Sequence, residues 1–365
     1  MLFHFWAYGE AANGDPTPTT IGQHIWESAR WGLLLFFVLS GFLLYRPWVG
    51  AALGGRERPR LGRYLRLRAA RIGPAYYLAL GGAVVIGVLG SSPPMHMPTQ
   101  DSLSLFLVFG QNFSDHSLRT LDTPMWTLPI ELSFYLALPL IGALALRAGK
   151  SRRSEALITV AVVAIGIVWA HLATSLFFHS VILPQMLPFF GLGMLVAVSI
   201  QGRSLSPRAC RILVAAALVG YLVNLALDSW APPVGNALED IPVATGFACL
   251  VAVAAAGERM PRILRARAVV WLGVISYGTY LWHQPIMCLL GGHGLLPLNP
   301  WLELAVVWPP TVLIAWTSWR LIERPVLERA HRRRSARRQR LTPHALGRLR
   351  AVLTRPVPAL VARRP

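Results

Sequence analysis

Residues Trp31 to Leu53, WGLLLFFVLSGFLLYRPWVGAAL, carry one charge in 23 positions, Arg46. An α-helix needs ~20 consecutive apolar residues to cross ~30 Å of hydrocarbon. Within hydrocarbon only a helix or a closed barrel satisfies its own backbone polar groups. Directly behind this stretch come Arg56, Arg58, Arg60, Arg63, Arg66, Arg68 and Arg71, opposed by Glu57 alone. Arginine crowded beside a span marks the cytoplasmic side. The helix therefore enters from outside and ends inside, and it sets the sense of every later span.

Composition agrees. The chain is 54% hydrophobic and 14% charged, where a soluble domain carries about 25% charged residues. The fold class expected is all-α, a polytopic transmembrane helical bundle. The net charge of +19 is unevenly spread, with 13 arginines between Ile322 and Pro365. This placement fits the positive-inside rule and anionic lipid. No nucleic-acid-binding motif accompanies the arginines, so nucleic acid is not an expected partner. Cys210, Cys249 and Cys288 lie in or beside apolar segments and offer neither a disulfide framework nor metal-ligand spacing. They read as small buried hydrophobes, and no metal is expected.

Taken in order, MLFHFWAY resembles the end of a first helix rising from the cytoplasm, and AANGDPTPTT begins a loop that runs to about Arg30. Pro74 suits the first turn of an outward span ending near Gly90. Ser102 to Phe113 is apolar but too short to cross, hence re-entrant or interfacial. Trp126–Leu146 goes in, Ala156–Phe178 out, Pro184–Ile200 in and Ile212–Trp230 out. Ile241–Ala256 then goes in, Trp271–Leu290 out and Trp301–Leu321 in. With the first helix this makes about ten spans and one short re-entrant segment, both termini cytoplasmic. Residues 1–325 form the membrane domain and 326–365 a basic cytoplasmic tail.

Ionisable groups inside a membrane are costly and mark function by default. Four places stand out. His4 is an imidazole near a helix end. Glu131 lies five residues into its span, among Pro124, Pro129 and Pro139. Arg68 and Arg71, three apart on one helical face at the cytoplasmic rim, suit phosphate; their bland role is to mark topology. His283 falls in the outer half of its span, where a satisfied core histidine is the bland alternative.

FFVLSGFLLYR, RLRAARIGPAYYLAL, MWTLPIELSFYLALPL, ISYGTYLWHQPI and IERP occur in that order. Together they resemble the acyltransferase-3 family of integral membrane O-acyltransferases, over nearly the whole chain. The resemblance implies that His4 is the histidine proposed as catalytic in the family's first span. It aligns the family's R-x-x-R pair with Arg68 and Arg71. It aligns the Trp-Ser-Leu-x-x-Glu segment with Trp126, Thr127, Leu128 and Glu131, threonine replacing serine. The Ser-Tyr-x-x-Tyr-Leu-x-His segment falls on Ser276, Tyr277, Tyr280, Leu281 and His283. The basic residue that the family carries ten intervening residues before its histidine would lie upstream of Met1. The resemblance thus describes an N-terminally truncated relative, whose native start is expected earlier.

Family members move an acyl group, commonly acetyl, from cytoplasmic acyl-CoA to a hydroxyl of a carbohydrate or secondary metabolite. The resemblance therefore implies acyl-CoA as donor, a hydroxyl-bearing acceptor, and a bacterial inner membrane as the site of action. In that scheme Arg68 and Arg71 anchor the CoA phosphates and His4 is the base. Glu131 is an orienter or proton partner. Direct transfer and an acyl-histidine step are both open, and nothing in the pattern specifies an oligomeric state. The competing reading is a proton-coupled secondary transporter or flippase with His4 and Glu131 as relay. The lack of an inverted repeat weighs against it.

Overall fold

The computed structural model describes residue 4 and residues 21–90, 95, 97–118, 120–148, 151–173, 181–230, 239–257, 262–297 and 299–332. The tail from residue 333 and most of the expected first helix lie outside these. Among the described residues the secondary structure is helical, apart from one isolated bridge between Leu205 and Gly257.

The chain order is α1 (Ile21–Glu27), a 3-10 turn (Ser28–Trp31), α2 (Gly32–Leu53), α3 (Leu61–Gly90), α4 (Gln100–Leu107) and α5 (Asp115–Leu118). After them come a 3-10 turn (Thr123–Trp126), α6 (Thr127–Ala148), α7 (Arg152–Leu172), α8 (Leu183–Ile200) and α9 (Pro207–Trp230). The last are α10 (Ile241–Ala256), α11 (Arg267–Gly292), α12 (Pro300–Ser318) and a π-turn (Trp319–Glu323). Among the described residues, six segments are long and apolar enough to cross a membrane: Gln23–Leu53, Leu61–Gly90, Thr123–Ala148, Arg152–Leu172, Leu183–Ile200 and Pro207–Asp228.

Helix boundaries depart from the sequence reading where local chemistry or tertiary partners intervene. Pro74 opens no helix; it lies inside α3, which already starts at Leu61. The run RYLRLRAAR is made of good helix formers, so the basic turn is itself helical and fixes Arg68 and Arg71 to the membrane helix. The helical segment before α2 begins at Ile21, within the expected loop. Its Arg30 pairs with Asp228 (2.8 Å) and Asp240 (3.2 Å), partners 198 and 210 residues away that no local pattern reveals. α7 starts at Arg152 because Ser151 and Ser154 form a reciprocal capping box. The segment expected to be re-entrant, Ser102 to Phe113, resolves into α4 and a 3-10 turn (Gln111–Phe113), broken at Phe109, whose φ is +58°.

The core is centred on α2, α6 and α8. Phe134 stacks on Phe190 at 4.0 Å, and Phe37 tilts against Phe190 at 4.9 Å, all three fully buried. Glycine lets α2 and α8 touch backbone to backbone. A Cβ on Gly193 would stand 1.9 Å from the Val38 carbonyl oxygen, and one on Gly41 would stand 2.0 Å from that of Phe190. Small residues serve this purpose in membrane bundles, where van der Waals contact drives helix association. On the exterior, Ile212, Leu218, Val219 and Leu222 of α9 are exposed, a surface suited to hydrocarbon.

Gly193→Val should therefore cost at least the ~1–3 kcal/mol typical of an overpacked core. The check is the thermal midpoint of detergent-solubilised protein, followed by size-exclusion chromatography. An unchanged midpoint would mean that the α2–α8 contact is not tight.

Candidate active site

A column of buried polar groups runs down the bundle between α3, α6 and α11. α6 follows the 3-10 turn Thr123–Trp126, where Pro124 sits second in the turn, a place that asks for no backbone N–H donor. Tyr280 of α11 donates to the Pro124 carbonyl at 2.7 Å, and the Thr127 hydroxyl lies 3.1 Å from the Tyr280 oxygen. Gln284 donates through Nε2 to Thr123 Oγ1 at 3.0 Å. α11 is thereby fastened across the mouth of α6.

His283, fully buried, lies on this face of α11. Its Nδ1 is 2.6 Å from the Tyr280 carbonyl oxygen. A carbonyl only accepts, so this hydrogen bond assigns the ring proton to Nδ1 and leaves a lone pair on Nε2. Nε2 is buried and without a partner. The ring of His4 stands 5.0 Å away, centroid to centroid, tilted by 53°. Two histidines 279 positions apart in sequence thus share one site.

One helical turn inward from Thr127, Glu131 is 3% exposed. It accepts from Ser40 of α2 at 3.2 Å and, through a short bond, from Tyr135. These are its hydrogen-bond partners; the ring against His4 belongs to His283. The Arg68 guanidinium covers the Tyr135 ring at 5.7 Å. Arg71 covers Tyr277 at 5.7 Å and Trp319 at 5.6 Å, and stands 3.9 Å from Glu323. The Glu323 carboxylate, 2% exposed, also accepts from Ser318 at 3.1 Å. The arginine pair therefore diverges, Arg68 toward α6 and Arg71 toward α11 and the π-turn.

The other motif positions divide. Thr127, Tyr277 and Tyr280 belong to the column, and the Tyr277 hydroxyl donates to the Ile72 carbonyl at 3.3 Å. Trp126 borders it, its carbonyl accepting from Asn112 at 2.7 Å. Ser276 is exposed and donates to Gly273 of its own helix at 2.9 Å, so it lies off the column. Tyr277 is level with Arg71 and Ile72, and His283 is six residues further along α11. At ~1.5 Å per residue, ~9 Å separates the arginine level from the histidine level.

Several site groups escaped the sequence reading. Tyr135 is four residues after Glu131, a spacing that places two side chains together on one helix face and that was legible. Ser40 comes from another helix and gave no signal. Asp122 is 1% exposed, with neither carboxylate oxygen partnered. Burial pushes its pKa well above the ordinary carboxylate range. No group of three or more metal-ligating side chains occurs among the described residues.

A family model described as an acyltransferase domain matches residues 1–320. The chain belongs to the acyltransferase-3 family. It is similar to nodulation protein 10 of Rhizobium leguminosarum bv. viciae, 25% identical over 90% of this chain and 89% of that one. It is 27% identical to the exopolysaccharide production protein ExoZ of Rhizobium meliloti, over 86% of this chain and 94% of the relative. The putative peptidoglycan O-acetyltransferase YrhL of Bacillus subtilis is 24% identical over 84% of this chain, which spans 52% of that longer protein. No solved structure matches significantly. In this acyltransferase-3 protein the segments around Arg68 and Arg71, Glu131 and His283 fall on helices α3, α6 and α11, while FFVLSGFLLYR lies on α2 and IERP at the π-turn. The apolar helices and the family together describe an integral membrane protein.

Proposed function

We propose that the protein transfers an acyl group, acetyl in the simplest case, from acyl-CoA at the cytoplasmic face to a hydroxyl of an envelope or secreted carbohydrate. The observation that carries this reading is the column itself, with cationic side chains at one end and a histidine pair ~9 Å above. The names of the relatives, an O-acetyltransferase and an exopolysaccharide production protein, support the acceptor class. Membership of an acyltransferase family favours this reading over proton-coupled transport. Within it the chain has about ten spans in a bacterial inner membrane, with both termini cytoplasmic and residues 326–365 a basic tail.

The residues fit the donor. Arg68 Nε is buried without a partner, and Arg71 is held only at 3.9 Å by Glu323. Both keep N–H groups for phosphate oxygens. Bound acyl-CoA would supply an activated thioester carbonyl. His4 takes the proton of the acceptor hydroxyl as general base, a role that suits imidazole near neutral pH. His283 fixes the environment of that ring through its own Nδ1 bond to Tyr280. Glu131, tied to Ser40 and Tyr135, sets the electrostatic potential between arginines and histidines.

In this reading Arg68→Ala and Arg71→Ala each remove a charge-assisted contact of about 1.5–3 kcal/mol. Apparent KM for acetyl-CoA should rise about ten- to a hundredfold in each, with a smaller change in kcat. Thiol release by purified protein in nanodiscs reads both constants. An unchanged KM in the double variant would reduce the pair to markers of topology, and no thioester consumption by the wild type would refute acyl transfer itself.

A further inference from the structure

The outer end of the column is rich in buried polar atoms without partners. Four buried atoms there lack partners: both carboxylate oxygens of Asp122, Oε1 of Gln284 and Nε2 of His283. Gln284 Oε1 is an acceptor, the Nδ1 proton of His283 makes Nε2 one too, and the buried Asp122 carboxyl in its neutral form offers one donor and one acceptor. The residues are 1%, 0% and 0% exposed. They belong to one neighbourhood. Gln284 bonds to Thr123, the residue after Asp122, and Tyr280, three residues before His283, bonds to Pro124. Asp122 also lies close enough to Tyr76, Tyr280 and Cys288 to act on each electrostatically.

The backbone delivers Asp122 there at a cost. Leu121, fully buried and not glycine, has φ of +60°. A bulky residue in the left-handed region is strained, and such strain concentrates at functional sites. Buried polar groups are nearly always satisfied, so three neighbouring residues with unmatched polar atoms, most of them acceptors, ask for a ligand that donates several hydrogen bonds and can also accept one. Among the described residues Asp122 meets no cation, and burial favours its neutral carboxyl, so the site favours a neutral ligand over a charged one. Adjacent hydroxyls on a sugar ring supply several donors at short spacing.

We propose that Asp122 and Gln284 form the acceptor subsite, binding neighbouring hydroxyls of a neutral sugar ring beside His283 and His4. This rests on the acyl-transfer reading for its meaning but not for its test. A binding assay reads the subsite without chemistry: the thermal midpoint of the full chain in nanodiscs, titrated with methyl α-D-glucopyranoside and cellobiose. Glucose 6-phosphate and 1-propanol serve as anionic and single-hydroxyl controls. The neutral sugars should raise the wild-type midpoint and the controls should not. In Asp122→Asn and Gln284→Leu the sugar affinity should fall at least tenfold.

The unliganded Asp122→Asn protein should have a midpoint at or above that of the wild type, because an unpartnered buried carboxyl no longer opposes folding. A structural Asp122 would give the opposite shift, which overturns the proposal. Undiminished sugar binding in Asp122→Asn overturns it as well, as does a wild type that responds to neither sugar. Sugar binding without acetyl-CoA consumption would refute acyl transfer and leave the subsite standing.

Discussion

Acyl transfer should fall by roughly 10²–10⁴-fold in His4→Ala, the range that general base catalysis contributes. His283→Ala should fall into the same range if the two rings work as a unit, since such groups are strongly non-additive. The double variant should then be little slower than either single one. The physical ground is the 5.0 Å approach of the rings, combined with the Nδ1 bond that fixes the tautomer of His283. Membrane yield and thermal midpoint should stay near wild-type values in His4→Ala, so that lost turnover is not lost protein. His283→Asn serves as a second probe, keeping an amide donor near the Tyr280 carbonyl while removing Nε2. Wild-type turnover in either alanine variant removes that histidine from the mechanism, and multiplicative losses assign the two rings separate tasks.

A comparable effect, on stability rather than rate, is expected at Glu131. Glu131→Ala leaves the Tyr135 and Ser40 hydroxyls without their acceptor. Each buried donor left unsatisfied costs about 1–3 kcal/mol, so less Glu131→Ala protein should survive purification. Glu131→Gln keeps an acceptor for both hydroxyls and should fold. Its turnover should drop about ten- to a hundredfold if the carboxylate charge matters between the arginines and the histidines. A double-mutant cycle of Glu131→Gln with Arg68→Met isolates their interaction, which should exceed that of Glu131→Gln with His4→Ala. The reverse ranking would return Glu131 to the role of proton partner for His4.

What the sequence reveals follows the physics of each feature. The long apolar helices are legible because hydrocarbon imposes a length and a composition that no local context overrides, as Gly32–Leu53 and Leu183–Ile200 illustrate. The arginine pair and the two histidines are legible because each is an exception to that composition. Their proximity is not, because His4 and His283 meet only through tertiary packing. Asp122 was invisible for a different reason: in LDTPMWT it reads as ordinary turn chemistry before a helix, and only burial makes it unusual. The early start of α1 has the same explanation, since Arg30 finds its carboxylates on α9 and at the start of α10. Pro74 misled because proline is a good first-turn residue, while the helix formers before it carry α3 straight through.

The unbroken course of α3 through the basic rim has a consequence for selectivity. In the acyl-transfer reading, Arg68, Arg71 and Tyr76 share one continuous helix, so the depth to which a phosphate-anchored donor extends is set by the length of that helix. The helix acts as a ruler. Inserting a single alanine between Arg71 and Tyr76 would advance one end by ~1.5 Å and turn it by roughly 100° relative to the other. Such an insertion would leave every site residue present yet put anchor and histidines out of phase, and the range of acyl chain lengths handled would change with it.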